Sequence, residues 1–271
     1  KHIVTSAWPF AVTGALGILL TNMDILIISW LLTASDVGIY SAAIRIIQLL
    51  YIIPMILQLS TLPLFSRLAN NDNQKFRIGL ERSIGFVFLA SIPLALGGAI
   101  LGTQIMELVF GAAYAGGGLA FKILTLTIIA DYPAVIISAA VFAYNRQKGL
   151  IITSLIGGIS NVILDLLFIP RFGIAGSAVA TLIAQILSNW YLWHMMKKIN
   201  YFEVMPKLKT ILVAGIIMAS VTALLCAVHV NVVLNIVLSA VVYFSILAAF
   251  REPLLMEIKK VLRPADKNIS E

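Results

Sequence analysis

The chain is short of the residues that catalysis in water usually needs. Of its 271 residues only 11% are charged, three are histidine and one is cysteine. Soluble domains carry about a quarter charged residues, so this composition excludes that class. The single cysteine, Cys226, lies in an apolar stretch; it excludes an internal disulfide and says nothing about redox compartment. His2, His194 and His229 are far apart and near the ends of apolar stretches. No Cys/His spacing suits a metal ion, so neither a metal site nor a cofactor is expected. The net charge of +7 raises nucleic acid as a partner. The basic residues, however, are spread over turns and form no compact face to track phosphates, so nucleic acid is not expected. Anionic headgroups of membrane lipids are the expected partners.

What the chain has is hydrophobic length: 61% of it is apolar. Eight stretches reach the roughly 20 residues that cross a bilayer. They run over Ile3–Leu32, Asp36–Leu68, Arg82–Leu101, Gly117–Tyr144, Leu150–Ile169, Ile174–Met196, Lys209–Val228 and Val232–Phe250. The expected fold is an all-α membrane protein with eight transmembrane helices. Lysine and arginine occupy every second connection: Arg67 to Arg82, then Arg146 and Lys148, then Lys197 to Lys209, then Arg251 onward, with Lys1 at the start. The other connections hold only Arg171. By the positive-inside rule both termini are expected in the cytoplasm.

Within this frame a few polar side chains stand out. Gly14, Gly17, Thr21 and Asp24 follow at intervals of 3, 4 and 3 residues and share a helix face. Small residues on one face mean close packing, but a carboxylate in a bilayer is costly and faces a cavity or a partner. Ser41, Arg45 and Gln48 form the stripe of the second helix. Asp24 lies about ten residues before the turn Thr33–Asp36 and Arg45 about ten after it, so an ion pair at equal depth is expected. Asp131 stands near the middle of the fourth helix, two residues before Pro133. Asp24, Arg45, Gln48 and Asp131 are therefore the candidate substrate-path residues. For Asn161, Gln185 and Ser188, interhelical hydrogen bonding is the more natural role. Asp165, one turn from the end of its stretch, is expected at the solvated interface. Pro54 and Pro63 should kink the second helix.

Two connections and the two ends complete the plan. Asn70–Leu80 reads as an amphipathic link on the membrane surface. Gly102–Gly118 reads as a long connection ending in a flexible Gly116-Gly117-Gly118. No charged side chain falls between Lys209 and Phe250, which marks an appended, more lipid-facing hairpin. The division is then a six-helix lobe over residues 1–198, two additional helices over 199–250 and a cytoplasmic tail over 251–271. The chain begins at Lys1, almost inside a membrane helix, without a charged n-region or cleavage site, so the first helix is no signal peptide. An N-terminal part is expected to be missing.

Two blocks carry a resemblance. The first is Asn22-Met23-Asp24-Ile25-Leu26-Ile27-Ile28, followed by Asp36-Val37-Gly38-Ile39-Tyr40-Ser41-Ala42-Ala43, Ile53-Pro54 and Leu62-Pro63. The second is Asn161-Val162-Ile163-Leu164-Asp165, then Ile169-Pro170 and Phe172-Gly173-Ile174-Ala175-Gly176-Ser177-Ala178-Val179-Ala180-Thr181. Together they resemble the polysaccharide biosynthesis protein family. These are the O-antigen and capsule flippases of the multidrug/oligosaccharidyl-lipid/polysaccharide exporter superfamily, and the resemblance covers about residues 1–198. It implies two pseudo-symmetric six-helix lobes, of which this chain is the second plus two extra helices, with the N-terminal lobe missing. It also implies a bacterial or archaeal cell (inner) membrane. The implied function is translocation of a lipid-linked (undecaprenyl-diphosphate) oligosaccharide, with Arg45 suited to the diphosphate and Asp24 or Asp131 to a driving ion. A drug or cation exporter of the same superfamily is one alternative. A membrane-embedded glycosyltransferase or ligase is another, but it needs a paired acid and base. The long outer connection offers only Glu107 and Tyr114, and enzymatic activity is not expected.

Overall fold

The computed structural model describes residues 22–256, apart from the side chains of Pro206 and Lys207. Gly14, Gly17 and Thr21, the segment from Lys1 and the tail after residue 256 lie outside the described residues. Within them the chain is helical and has no strand. The helices are α1 (Met23–Leu31), α2 (Ala34–Leu50), α3 (Ile52–Leu68), α4 (Asn73–Phe110), α5 (Gly118–Ala143), α6 (Gln147–Ile199), α7 (Met205–Ala227) and α8 (Val232–Ala249). A 3-10 turn, Ala112–Gly117, joins α4 to α5. Among the described residues, six segments are long and apolar enough to cross a membrane: Ala34–Leu68, Asn73–Phe110, Ala112–Ala143, Gln147–Ile199, Leu208–Ala227 and Val232–Ala249.

The fourth of these is a hairpin. Gly173, at φ 58° and ψ −142°, breaks α6, and a glycine accepts this backbone without steric cost. A straight helix would put Gly149 and Met195 about 70 Å apart. Instead a methyl on Gly149 would sit 2.1 Å from Met195 Sδ, and one on Gly176 2.5 Å from the Phe168 carbonyl. The arms, residues 147–172 and 174–199, are therefore antiparallel and in close contact. They correspond to the fifth and sixth predicted stretches, and α1 is the described end of the first.

Helices α4 and α5 form the centre. A Cβ on Gly98 would meet Thr125 Cγ2 at 2.4 Å, and one on Gly118 would meet Thr103 Oγ1 at 2.3 Å. Only glycine lets these two backbones approach so closely. Two expectations are corrected here. Asn70–Leu80 is not a surface link, because α4 starts at Asn73 with Asp72 as N-cap, its Oδ1 accepting the Lys75 N–H at 2.9 Å. Phe76 in the first turn is fully buried, 5.1 Å from the Phe65 ring and 4.7 Å from Tyr144, and that burial outweighs the polarity of its neighbours. The connection after Gly102 is also short. Gly102 packs on Lys122 and Phe121 inside the helix pair, and Gly117 is buried against Ile39 and Met106.

Two prolines leave carbonyls without a helical donor, and two tyrosines supply one. Pro54 has no N–H for the carbonyl four residues earlier. That carbonyl, Leu50 O, accepts the Tyr132 hydroxyl at 2.6 Å. Pro93 leaves Leu89 O free in the same way, and it accepts the Tyr243 hydroxyl at 2.9 Å. The first bond sits at the break between α2 and α3, while the second docks α8 on α4. Between α7 and α8, Thr222 Oγ1 donates to Ser239 Oγ (2.7 Å) and Asn235 Nδ2 to Thr222 O (3.2 Å).

The basic connections gather at one end. Tyr144 donates to Asn73 Oδ1 at 2.9 Å, Asn200 Nδ2 donates to Tyr144 Oη at 3.0 Å, and the Glu203 N–H donates to Glu81 Oε1 at 2.9 Å. At the opposite end Gly117 meets Ile39, and Gln104 Nε2 donates to Cys226 Sγ at 3.1 Å.

Candidate functional site

A polar groove of about 420 Å³ runs between the arms of α6, lined by Asp24, Asn161, Thr181, Gln185, Ser188 and Asn189. Asp24 lies at one end of the set, buried where α1 meets α2 and α6. Its Oδ2 accepts the Tyr40 hydroxyl at 3.0 Å and lies 2.9 Å from Thr181 Oγ1. Ser177 Oγ donates to the Tyr40 hydroxyl at 3.2 Å, and Asn161 Nδ2 donates to Thr181 Oγ1 at 3.4 Å. Thr181 has one proton and two acceptors, Asp24 Oδ2 and the Ser177 carbonyl at 3.0 Å, so it does not satisfy both at once.

Asp165 belongs to the same cluster. It is fully buried, and neither carboxylate oxygen has a hydrogen-bond partner among the described residues. This corrects the interfacial position expected for it. The turn at Phe172–Gly173 lies on the axis of a hairpin that folds Asp165 inward against the second arm. An ionised carboxylate without donors in such a place requires a counter-ion or a proton. The oxygen-rich set of Asp24, Asp165, Asn161, Thr181 and Ser177 offers ligands of the kind that hard cations take. Among the described residues no group of three or more His, Cys, Asp or Glu is positioned for a metal ion.

Asp131, in the centre of α5, is held differently. The Tyr51 hydroxyl donates to Oδ2 and Asn189 Nδ2 donates to Oδ1 at 2.7 Å. Tyr51 stands at the joint between α2 and α3, next to the Leu50 carbonyl that Pro54 leaves without a donor and that accepts the Tyr132 hydroxyl. Asn189 also lines the groove, so Asp131 touches the groove through that amide.

The four candidate residues thus divide. Asp24 and Asp131 lie at the groove, directly and through Asn189. Arg45 and Gln48 do not; they are exposed on another face of α2. The expected Asp24–Arg45 ion pair is absent: among the described residues the ion pairs are Lys75–Asp72 and Arg77–Glu81. The reason is angular. Tyr40 faces Asp24, and Arg45, five residues on, is rotated by about 140° at 3.6 residues per turn. The sequence reading missed Tyr40, Tyr51 and Asn189. It named Thr181 only within the second of the two blocks that carry the resemblance. One signal was available: Asn161 and Thr181 lie at equal distances on either side of Arg171, at the hairpin tip, and so do Asp165 and Ser177.

Comparison with known proteins agrees with this architecture. The family model described as lipid II flippase MurJ matches residues 2–250. The probable flippase AglR of Haloferax volcanii is 29% identical over 171 residues, 62% of this chain and 36% of that protein. The probable low-salt glycan biosynthesis flippase Agl15 of the same organism is 30% identical over 160 residues, 59% of this chain and 34% of that protein. The chain thus spans about a third of the length of these curated relatives. A solved structure of lipid II flippase MurJ in an inward closed conformation superposes with a TM-score of 0.75 at 22% identity, over 94% of this chain and 55% of that one. It shows the fold.

Proposed function

Because this chain belongs to the lipid II flippase MurJ family, we propose that it is one lobe of a flippase for a lipid-linked oligosaccharide. The cargo on this reading is an undecaprenyl-diphosphate glycan, moved from the cytoplasmic to the outer leaflet of a prokaryotic cell membrane for polysaccharide export. One observation carries the proposal. Membrane-length apolar helices enclose a polar groove lined by the buried carboxylate of Asp24, and neither it nor the buried Asp165 has a cationic partner among the described residues. Such groups are expensive in a bilayer and mark an ion or substrate path.

The roles follow from placement. A large polar head crosses hydrocarbon only if protein groups replace its water. Arg45 and Gln48 present a cation and an amide on the exposed face of α2, where they face a second lobe across the path. Arg45 suits the diphosphate because its planar fork holds phosphate oxygens in pairs. Asp24 and Asp165 take up the cation or proton that drives the cycle, and its uptake ties α1 to both arms of α6. Rocking of one lobe against the other then alternates access. The gathering of basic turns at one end supports cytoplasmic placement of that end and of both termini.

The test is export of the lipid-linked glycan at matched protein levels. Asp24→Asn combined with Asp165→Asn should abolish export without loss of protein from the membrane. Wild-type export by that double variant refutes the coupling role. The missing Asp24–Arg45 pair also favours a second reading, a drug or cation exporter, which needs carboxylates free of arginine. Efflux of organic cations that survives Arg45→Ala, with no effect on glycan export, would select it.

A further inference from the structure

A second cavity lies away from the groove, at the end of the bundle where the basic turns gather. It measures about 870 Å³, in the range of small-molecule sites. It opens between the start of α4, the turn from α5 to α6 and the last turn of α6. Three cations line it, Arg146, Lys148 and Lys198, and no carboxylate does. All three are exposed, and none forms an ion pair with a described residue.

The floor is preorganised. Tyr144, Asn73 and Asn200 are joined by the hydrogen bonds given above, and the Asn200 amide also reaches the Asn73 carbonyl at 3.1 Å. Asn70 and Asn145, both lining residues, hold left-handed backbones at φ 63° and 56°. That conformation is uncommon for a residue with a side chain, although asparagine tolerates it best. It turns the chain sharply at both edges of the cavity. The first turn of α6 adds the positive end of a helix dipole. One wall is apolar. Ile151 and Ile152 follow Lys148 by three and four residues, so they lie on the same helix face. They are 60% and 44% exposed. A single face of α6 thus passes from cation to hydrocarbon-facing side chains.

We infer that this cavity binds a phosphate-bearing headgroup, with Arg146, Lys148 and Lys198 on the phosphate oxygens and the Ile151–Ile152 wall along the attached acyl chains of a membrane lipid. Basic pockets between membrane helices at an interface are suited to such headgroups. The apolar wall is what separates a lipid from a free phosphate, for which it has no use. The site is independent of the groove and of the transport reading.

Native mass spectrometry of the purified protein, titrated with dioleoylphosphatidic acid, dioleoylphosphatidylcholine or inorganic pyrophosphate, tests it. One phosphatidic acid should be retained, and the variant Arg146→Ala/Lys148→Ala/Lys198→Ala should weaken it by about tenfold or more. Arg146→Lys combined with Lys198→Arg keeps the charge and should bind within about twofold of wild type. The pair Arg67→Ala/Lys209→Ala, which removes charge outside the cavity, should do the same. Phosphatidylcholine, whose choline cation is repelled, should bind about tenfold more weakly. Tighter binding of the lipid than of pyrophosphate identifies a headgroup. Equal binding, with pyrophosphate displacing the lipid and lost in the same triple variant, identifies a free phosphate in the same site. Undiminished binding by the triple variant, or equal loss in the outside pair, overturns the assignment.

Discussion

Tyr132→Phe should destabilise the protein by about 1 kcal/mol, and Pro54→Ala should remove most of that cost. The Tyr132 hydroxyl is fully buried and donates to Leu50 O at 2.6 Å. That carbonyl needs it only because Pro54 has no N–H to offer. Hydrogen bonds between membrane helices average about 0.6 kcal/mol and reach about 1.7. A short bond to a carbonyl with no helical donor belongs in the upper half of that range. In the Pro54→Ala background the N–H of residue 54 returns to Leu50 O, and the tyrosine bond becomes redundant. The coupling between the two sites should then be about 1 kcal/mol, roughly fivefold in the unfolding equilibrium. Reversible unfolding of the four proteins in mixed micelles measures it. If Tyr132→Phe costs the same in both backgrounds, the proline is not what makes the tyrosine necessary, and the account of the α2–α3 break fails.

Three further outcomes are expected. Gly98→Leu should destabilise by about 1–3 kcal/mol or more through overpacking, since its Cβ would stand 2.4 Å from Thr125, whereas Gly38→Ala, with open space around it, should be close to neutral; thermal unfolding in detergent compares them. In a Cys226→Ser background, Asn71→Cys and Glu107→Cys should react with an impermeant maleimide from opposite sides of the membrane, and reaction of both from one side refutes the topology. Arg45→Ala should abolish glycan export at normal protein levels while Arg45→Lys keeps part of it; wild-type export by Arg45→Ala would make this arginine a lipid-facing residue and end its proposed substrate role.

The helices were legible because hydrocarbon length and the sorting of lysine and arginine are one-dimensional signals. Each can be read without knowing which helix touches which. The Gly173 break is legible for the same reason, since Pro170, Arg171 and Gly173 stand together between two apolar runs. The errors fell where a short stretch is decided by its neighbours. Asn73-Gln74-Lys75 looks like a surface link, yet Phe76 and Leu80 are buried, Phe76 against Phe65 of α3 and Tyr144 just after α5, and the helix is carried out to Asp72. Gly116-Gly117-Gly118 looks flexible, yet two of the three glycines are there so that the backbone can approach Ile39 and Thr103.

The site shows the same limit in sharper form. Counting residues from a turn gives depth and not direction. Asp24 and Arg45 are at similar depth, and the helix still turns Arg45 away and presents Tyr40. Where the partners lie on a hairpin with a sharp pivot, matched distances do give contact, as with Asn161 and Thr181. Where three helices meet, as at Asp131, Tyr51 and Asn189, nothing in the spacing marks the meeting. That third case bears on mechanism. The second arm of α6 carries Thr181 at Asp24 and Asn189 at Asp131, eight residues and about 12 Å apart on one helix. A helix transmits axial displacement with little loss. On the proposed mechanism, an ion that draws Thr181 toward Asp24 therefore also moves Asn189 against Asp131, and with it the α5 core on which the break at Tyr51 rests. The two carboxylates need no contact with each other to act in one cycle, because one rigid arm holds a partner of each.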